Sequence, residues 1–376
     1  MTDHTRYVFY VSGFDPRGQR YYRELIRNAL KQWHEKTQSG FSFDTKKRWT
    51  IAHANGNTHI QLMDWDDIIR KHWFKSDVAV NRRAPGVVWD MFRAGTLGAL
   101  RKNCWPMVLT ILSTTLPVVY PVLSGLILLF AIVAAFQGGT LLSILLLLLS
   151  LAVTAGGRKL AKRYQSSWVG RIILFGIQFG RNPDSALLER FDQFADSIIE
   201  KLETGDEVLL AGHSSGAVFA PIVASMVASK RPDLVSDPTR FCLLTLGGIL
   251  PCVAGMPEAR HVRSALQIVQ DSKLAWLDFT SPRDPACCAL VNPLEFVRLP
   301  GTGPKLLNAQ FHKIFTAERV KAGSKAPLDG HFLYLQAPDT PDPHGDLFDW
   351  PATLVDYRPV WLRYQNRDSQ DTYYRG

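Results

Sequence analysis

The chain has 376 residues, enough to bury one large α/β domain and still carry an insertion. Apolar residues make up 46% and charged residues 20%, which excludes a disordered chain, and five cysteines without regular spacing, two of them the adjacent Cys287 and Cys288, suit neither a disulfide framework nor a zinc site. The formal net charge of +9, with a pI near 9.3, points to nucleic acid or an anionic membrane surface, and the position of the charge decides between them.

Met1–Arg6 leads straight into a strand pattern, with no apolar core and small-residue cleavage site, so no cleaved signal peptide is expected. The cysteine pattern suits a reducing compartment. Arg6–Ser12 is β-branched and aromatic and reads as a buried strand ending at Gly13. A helix is expected from Gln19 to Lys36. Arg48–Ala54 and Thr58–Met63 read as strands around the turn-forming Asn55-Gly56-Asn57, and Asp64–Lys75 as a helix.

No side chain between Asn103 and Arg158 is charged. Roughly 20 residues at 1.5 Å rise cross the hydrocarbon layer, so Pro117–Phe136 and Thr140–Gly157 each qualify as a transmembrane helix, joined by Gln137-Gly138-Gly139. Cys104–Leu116 is also apolar, but Pro106, Pro117 and Pro121 break it up, and it reads as an interfacial or kinked approach helix. Arg93, Arg101 and Lys102 precede the hairpin and Arg158, Lys159, Lys162 and Arg163 follow it, which puts both flanks in the cytoplasm and gives the basic charge a lipid partner. Nucleic acid is not an expected partner, because no recognisable nucleic-acid module accompanies the charge. A channel is disfavoured, since two uncharged helices offer no polar pathway.

Beyond the insertion, Ser185–Leu202 carries a helical apolar stripe with Asp184 as its cap. Glu207–Ala211 reads as a strand and Val218–Ala228 as a helix, followed by strand candidates Phe241–Leu246, Leu274–Phe279 and Gln310–Phe315. Alternating strands and helices predict an α/β fold with a mostly parallel sheet covered on both faces. Strands of one sheet on both sides of the insertion require an even number of crossings, which agrees with two helices.

Between the Glu207–Ala211 strand and the following helix stands Gly212-His213-Ser214-Ser215-Gly216. Glycines two residues before and after a serine let the chain turn sharply from strand to helix and leave the hydroxyl clear of the backbone. This strand–turn–helix resembles the α/β-hydrolase superfamily of serine hydrolases, lipase- and esterase-like, here with an inserted transmembrane hairpin. The resemblance implies Ser214 as nucleophile, then an acid after a later strand, then a histidine. Asp284, in Thr280-Ser281-Pro282-Arg283-Asp284-Pro285, is the expected acid, with Asp278 as its rival within the strand pattern. His331, in Gly330-His331-Phe332, is the expected base. His312 lies inside the last strand candidate and His344 in a Pro- and Asp-rich tail, and both read as structural or solvated. The oxyanion donors implied are the N–H groups of Ser215 and Phe14, and His213 belongs to packing.

The resemblance spans the chain outside 92–163. It implies acyl transfer to water with no metal or organic cofactor, on a lipid or other acyl ester within reach of the bilayer, by an integral membrane protein with its catalytic domain on the cytoplasmic side. The expected organisation is 1–92 and 164–336 as the two parts of the hydrolase domain, 93–163 as the membrane insertion, and 337–376 as a loop-like, partly disordered extension. The alternative is a non-catalytic membrane scaffold that keeps the fold.

Overall fold

Strands from both sides of the apolar insertion lie next to each other in one sheet. The computed structural model describes residues 4–44, 49–53, 56–325 and 327–367. Its strands are β1 (His4–Val11), β2 (Phe41–Asp44), β3 (Thr50–His53), β4 (Gly56–Leu62), β5 (Glu207–His213), β6 (Phe241–Leu246), β7 (Ala275–Thr280) and β8 (Lys305–Asn308). They follow the order β2-β3-β4-β1-β5-β6-β7-β8. From β4 to β8 every neighbouring pair is parallel, with Arg6 opposite Glu207 and Val11 opposite Gly212 in the central pair, while β3 and β2 fold back as an antiparallel edge.

Side chains alternate across this sheet, as the two-residue period of a strand requires. Phe9, Val11, Val208, Leu210, Phe241 and Leu243 join one apolar layer, and Val8, Tyr10, Leu209, Ala211, Cys242 and Leu244 the other. Because both layers are covered, the central strands are apolar at nearly every position rather than alternating with polar residues.

The described helices up to the centre of the sheet are α1 (Gly18–Thr37), α2 (Asp66–His72), α3 (Asp77–Arg93), α4 (Thr96–Asn103), α5 (Trp105–Ser113), α6 (Leu116–Phe136), α7 (Thr140–Arg163), α8 (Ser166–Arg181), α9 (Ser185–Glu203) and α10 (Gly216–Lys230). Helices α9 and α10 and the later helix Arg260–Asp271 contribute to the first layer, and α1 to the second. Asp184 caps α9 as expected, its Oδ1 accepting from Ala186 N at 2.9 Å.

Helices α6 and α7 differ from all of these. Their most apolar windows have mean hydropathies of 2.5 and 2.2, yet only 17% and 6% of those windows is buried. By length and composition both can cross a membrane. The two pack on each other through small and hydroxylated residues, Ser124 Oγ meeting Ser150 Oγ at 2.8 Å and Thr154 Oγ1 at 2.7 Å, the kind of contact that holds apolar helices together without a hydrophobic driving force. Helix α7 continues past Gly157 to Arg163, so its last turns carry the basic residues. The approach segment is a separate helix, α5, with Met107, Thr110 and Ile111 buried against the body.

Three expectations change. Gln310–Phe315 is not a strand: Phe311–Ile314 forms a helical turn with Phe311 and Ile314 inward, a spacing of three that suits a helix, and the edge strand is the preceding β8. Gly56 and Asn57 pair within β4 rather than forming a turn, while Asn55 lies outside the described residues. The stretch from Ala337 is not a loop-like extension over its described length. Trp350–Val355 and Val360–Tyr364 are helices, and Ala337, Trp350 and Tyr364 are fully buried.

What ties this tail down is a buried ion pair. Arg6 Nε donates to Glu207 Oε2 at 2.8 Å, and the rest of its guanidinium donates to Thr353 O, Asp356 O and Arg358 O, while Glu207 Oε1 accepts from Val360 N at 3.1 Å. Arg6→Ala breaks this buried pair and removes the donor from three backbone carbonyls, a loss of the sort that costs about 3–5 kcal/mol. Thermal unfolding in detergent is expected to show a Tm lower by about 4–6 °C.

Candidate active site

The chain passes from β1 to β4 on one side of the sheet and then to β5 on the other, so the strand order reverses between β1 and β5. In open α/β sheets such a reversal leaves a crevice at the carboxyl ends of the strands, where ligands bind. The loop after β1, with Gly13 and Phe14, and the turn after β5, with Ser214, meet there.

Ser214 has φ +60°, in the left-handed region that a residue with a side chain occupies only when its surroundings hold it. They do: Ser214 N donates to Leu246 O at the end of β6, and Ala217 N to Ser214 O, both at 3.0 Å. A β-carbon on Gly212 would stand 2.4 Å from Gly216 O, and one on Gly216 would stand 2.1 Å from Val11 O. The glycine spacing read in the sequence is thus the room that the turn and the crossing strand β1 demand.

Asp284 sits in the loop after β7, its N donating to Ser281 O at 2.9 Å. Its Oδ1 accepts from Ala286 N at 2.9 Å, and its Oδ2 accepts from His331 Nδ1 at 2.7 Å. Both side chains are buried. A carboxylate can only accept, so Nδ1 carries the proton and Nε2 is the basic end of the ring. His331 ends the short helix Pro327–His331 and continues into the 3-10 turn Phe332–Leu335, rather than standing in a loop after a strand.

Comparison with protein-family models, curated proteins and solved structures finds no match to this chain.

His213 proves more than packing. Its Nε2 donates to His331 O at 3.0 Å, with the two rings 4.8 Å apart. Burial, reinforced by His331, holds the His213 pKa well below its usual range. It therefore stays neutral, keeps its proton on Nε2 and fixes the backbone of His331. No spacing in the sequence announces this, since 118 residues separate the two.

Phe14 N is directed at the nucleophile turn but donates to Ser215 Oγ at 2.6 Å, so its hydrogen is engaged rather than free for an oxyanion. The Phe14 ring stacks on Phe175 of α8 at 3.9 Å, and Trp65 Nε1 donates to Ser12 Oγ at 3.1 Å, which together fix the loop after β1. The acid loop is braced likewise: Thr110 Oγ1 of α5 donates to Pro285 O at 2.7 Å and Cys104 Sγ to Cys287 O at 3.3 Å. Helices flanking the apolar hairpin thus hold both loops that carry the expected site residues. A cleft of about 670 Å³ between α3 and α8, lined in part by Arg82, Arg83, Phe175 and Arg181, reaches Phe175 but neither Ser214 nor His331.

Asp278, the rival acid, lies within β7 and does not face His331. Its Oδ1 accepts from Thr245 Oγ1 at 2.5 Å, and Thr245 Oγ1 accepts from Trp276 Nε1 at 2.9 Å. Burial pushes its pKa up to about 7, against the lowering effect of the Thr245 hydrogen bond. Because the folded pKa exceeds the unfolded value of about 4, the folded state binds more protons between those limits, and its stability falls as pH rises from about 4 to 7. Asp278→Asn keeps the acceptor without the charge. Melting curves are expected to show a higher Tm than wild type near pH 8 and no difference near pH 4.

His312 is exposed on the turn Phe311–Ile314, and His344 is exposed in the tail. Among the described residues no group of three or more His, Cys, Asp or Glu side chains stands close enough to hold a metal ion.

Proposed function

We propose that this protein is a membrane-anchored serine hydrolase with an α/β-hydrolase fold, cleaving a lipid or other acyl ester. The observation that carries the reading is a serine held at φ +60° at the carboxyl end of a central strand, next to His213, whose ring lies 4.8 Å from that of His331, a buried histidine oriented by a carboxylate at 2.7 Å. A serine hydroxyl is a weak nucleophile unless a neighbouring base takes its proton and a third group orients that base.

In this mechanism Ser214 Oγ attacks the acyl carbon while His331 Nε2 takes its proton. The tetrahedral intermediate collapses, the alcohol leaves with that proton, and a water activated by His331 then releases the acid. Ser215 N and Phe14 N receive the oxyanion charge, the latter once the Ser215 hydroxyl turns away. Helices α6 and α7 cross the bilayer as a hairpin, leaving the catalytic body on the cytoplasmic side by the distribution of Lys and Arg.

The engagement of Phe14 N by Ser215 Oγ favours a second reading, a scaffold that keeps the fold without the chemistry. A panel of fluorogenic acyl esters of increasing chain length, offered to the detergent-solubilised protein, separates the two. The hydrolase reading expects turnover that disappears in Ser214→Ala; equal, background-level rates for the folded wild type and Ser214→Ala support the scaffold.

A further inference from the structure

From Met91 to Pro183 the chain carries nine Lys and Arg and no Asp or Glu, so this stretch alone accounts for the formal charge of +9 and the remainder is balanced. The structure adds a surface to that charge. On α3, Trp89 and Phe92 are 57% and 61% exposed, their rings stacked 5.5 Å apart. On α5, Trp105, Leu109 and Leu112 are exposed at a spacing of four and three, on the face opposite the buried Met107, Thr110 and Ile111. Exposed Arg93, Arg101 and Lys102 lie along the same connection, and α5 ends three residues before α6 begins.

An exposed apolar face of this kind, rimmed by Arg93, Arg101 and Lys102 and with its one carboxylate, Asp90, paired to Arg181, marks an interaction surface. Two features name its occupant. The face is continuous in the chain with the apolar hairpin, and its rim complements an anionic headgroup layer but not a basic one. Tryptophans flanked by Lys and Arg are also the residues that settle at the membrane–water boundary.

We infer that the exposed face of α3 and α5 docks on the anionic leaflet of the same bilayer that α6 and α7 cross. The inference rests on the reading of those two helices as a transmembrane hairpin and deepens it: the body is not tethered at a distance but lies on the lipid. The opposite face of α5, through Thr110, and Cys104 just before the helix hold the acid loop. The Asp284 loop therefore sits about one helix diameter, roughly 10 Å, from the headgroups.

The test uses the full chain in vesicles of phosphatidylcholine with or without phosphatidylglycerol, with an environment-sensitive fluorophore on single introduced cysteines; all five native cysteines are buried. Trp89→Cys and Leu109→Cys report the docking face, Leu128→Cys the hairpin and Glu24→Cys a solvated helix. Nitroxide-labelled lipids, with the quencher in the headgroup layer or at the chain ends, are the probes. The expected result is quenching of positions 89 and 109 by the headgroup nitroxide, of 128 by the chain-end nitroxide and of 24 by neither. Arg101→Glu with Lys102→Glu is expected to weaken headgroup quenching at 109 by at least about twofold in phosphatidylglycerol vesicles and not in neutral ones. If 128 is quenched while 89 and 109 behave as 24 does, the docking inference is overturned and the hairpin stands. A blue-shifted but unquenched fluorophore at 89 and 109 means a second protein copy covers the face, which also overturns it. Loss of quenching at 128 removes the hairpin reading itself.

Discussion

Ser214→Ala is expected to lower kcat for an acyl ester by about 10⁴- to 10⁶-fold, because nucleophile and base act as a unit and what remains comes only from binding and oxyanion donors. KM should change little. Stability should not fall, since Ser214 Oγ is not what shapes the turn; its φ of +60° is imposed by backbone bonds to Leu246 and Ala217 and by the crossing of β1 over Gly216. A Tm equal to wild type within about 2 °C, together with lost turnover, identifies a chemical role. A matching loss of both assigns Ser214 to the fold instead.

The two carboxylates are expected to separate as sharply. Asp284→Asn preserves the shape of the loop but replaces an acceptor with a group that cannot hold the Nδ1 proton in place, and a decline of about 10⁴-fold in kcat is expected, as befits the wrong tautomer of the base. Asp278→Asn should cost less than about tenfold, since Asp278 accepts from Thr245 rather than from His331. Kinetics on the two variants with one ester substrate decide the assignment. A larger loss for Asp278→Asn than for Asp284→Asn would transfer the orienting role to β7.

The parts of the chain that sequence reading placed well are those whose signal is local. The strand, the turn at Gly212–Gly216 and the helix after it are adjacent in sequence, and β6 matches Phe241–Leu246 to the residue because an apolar run between a turn and a Gly-Gly pair has few alternatives. Helices α6 and α7 were legible from charge and length alone.

What was not legible depends on distant partners. The helices after Ala337 are only six and five residues long, too short to show a period, and they are ordered by Arg6 and Glu207 from the far end of the chain. Edge strand β8 has four residues, and the more strongly apolar Phe311, Ile314 and Phe315 just after it drew the strand expectation away. The brace of α5 on the acid loop and the stack of Phe175 on Phe14 join segments 175 and 161 residues apart, and no motif encodes either. The expectation that Asp284 pairs with His331, by contrast, rested on the order that the α/β-hydrolase resemblance implies, and the two side chains lie 2.7 Å apart.

The most direct measurement is peptide mass spectrometry of the detergent-solubilised protein after reaction with a fluorophosphonate. One adduct is expected, on the peptide carrying Ser214, prevented by an acyl ester substrate and missing in both Ser214→Ala and His331→Ala. Folded wild-type protein that takes no adduct, or takes it at a residue other than Ser214, would contradict it.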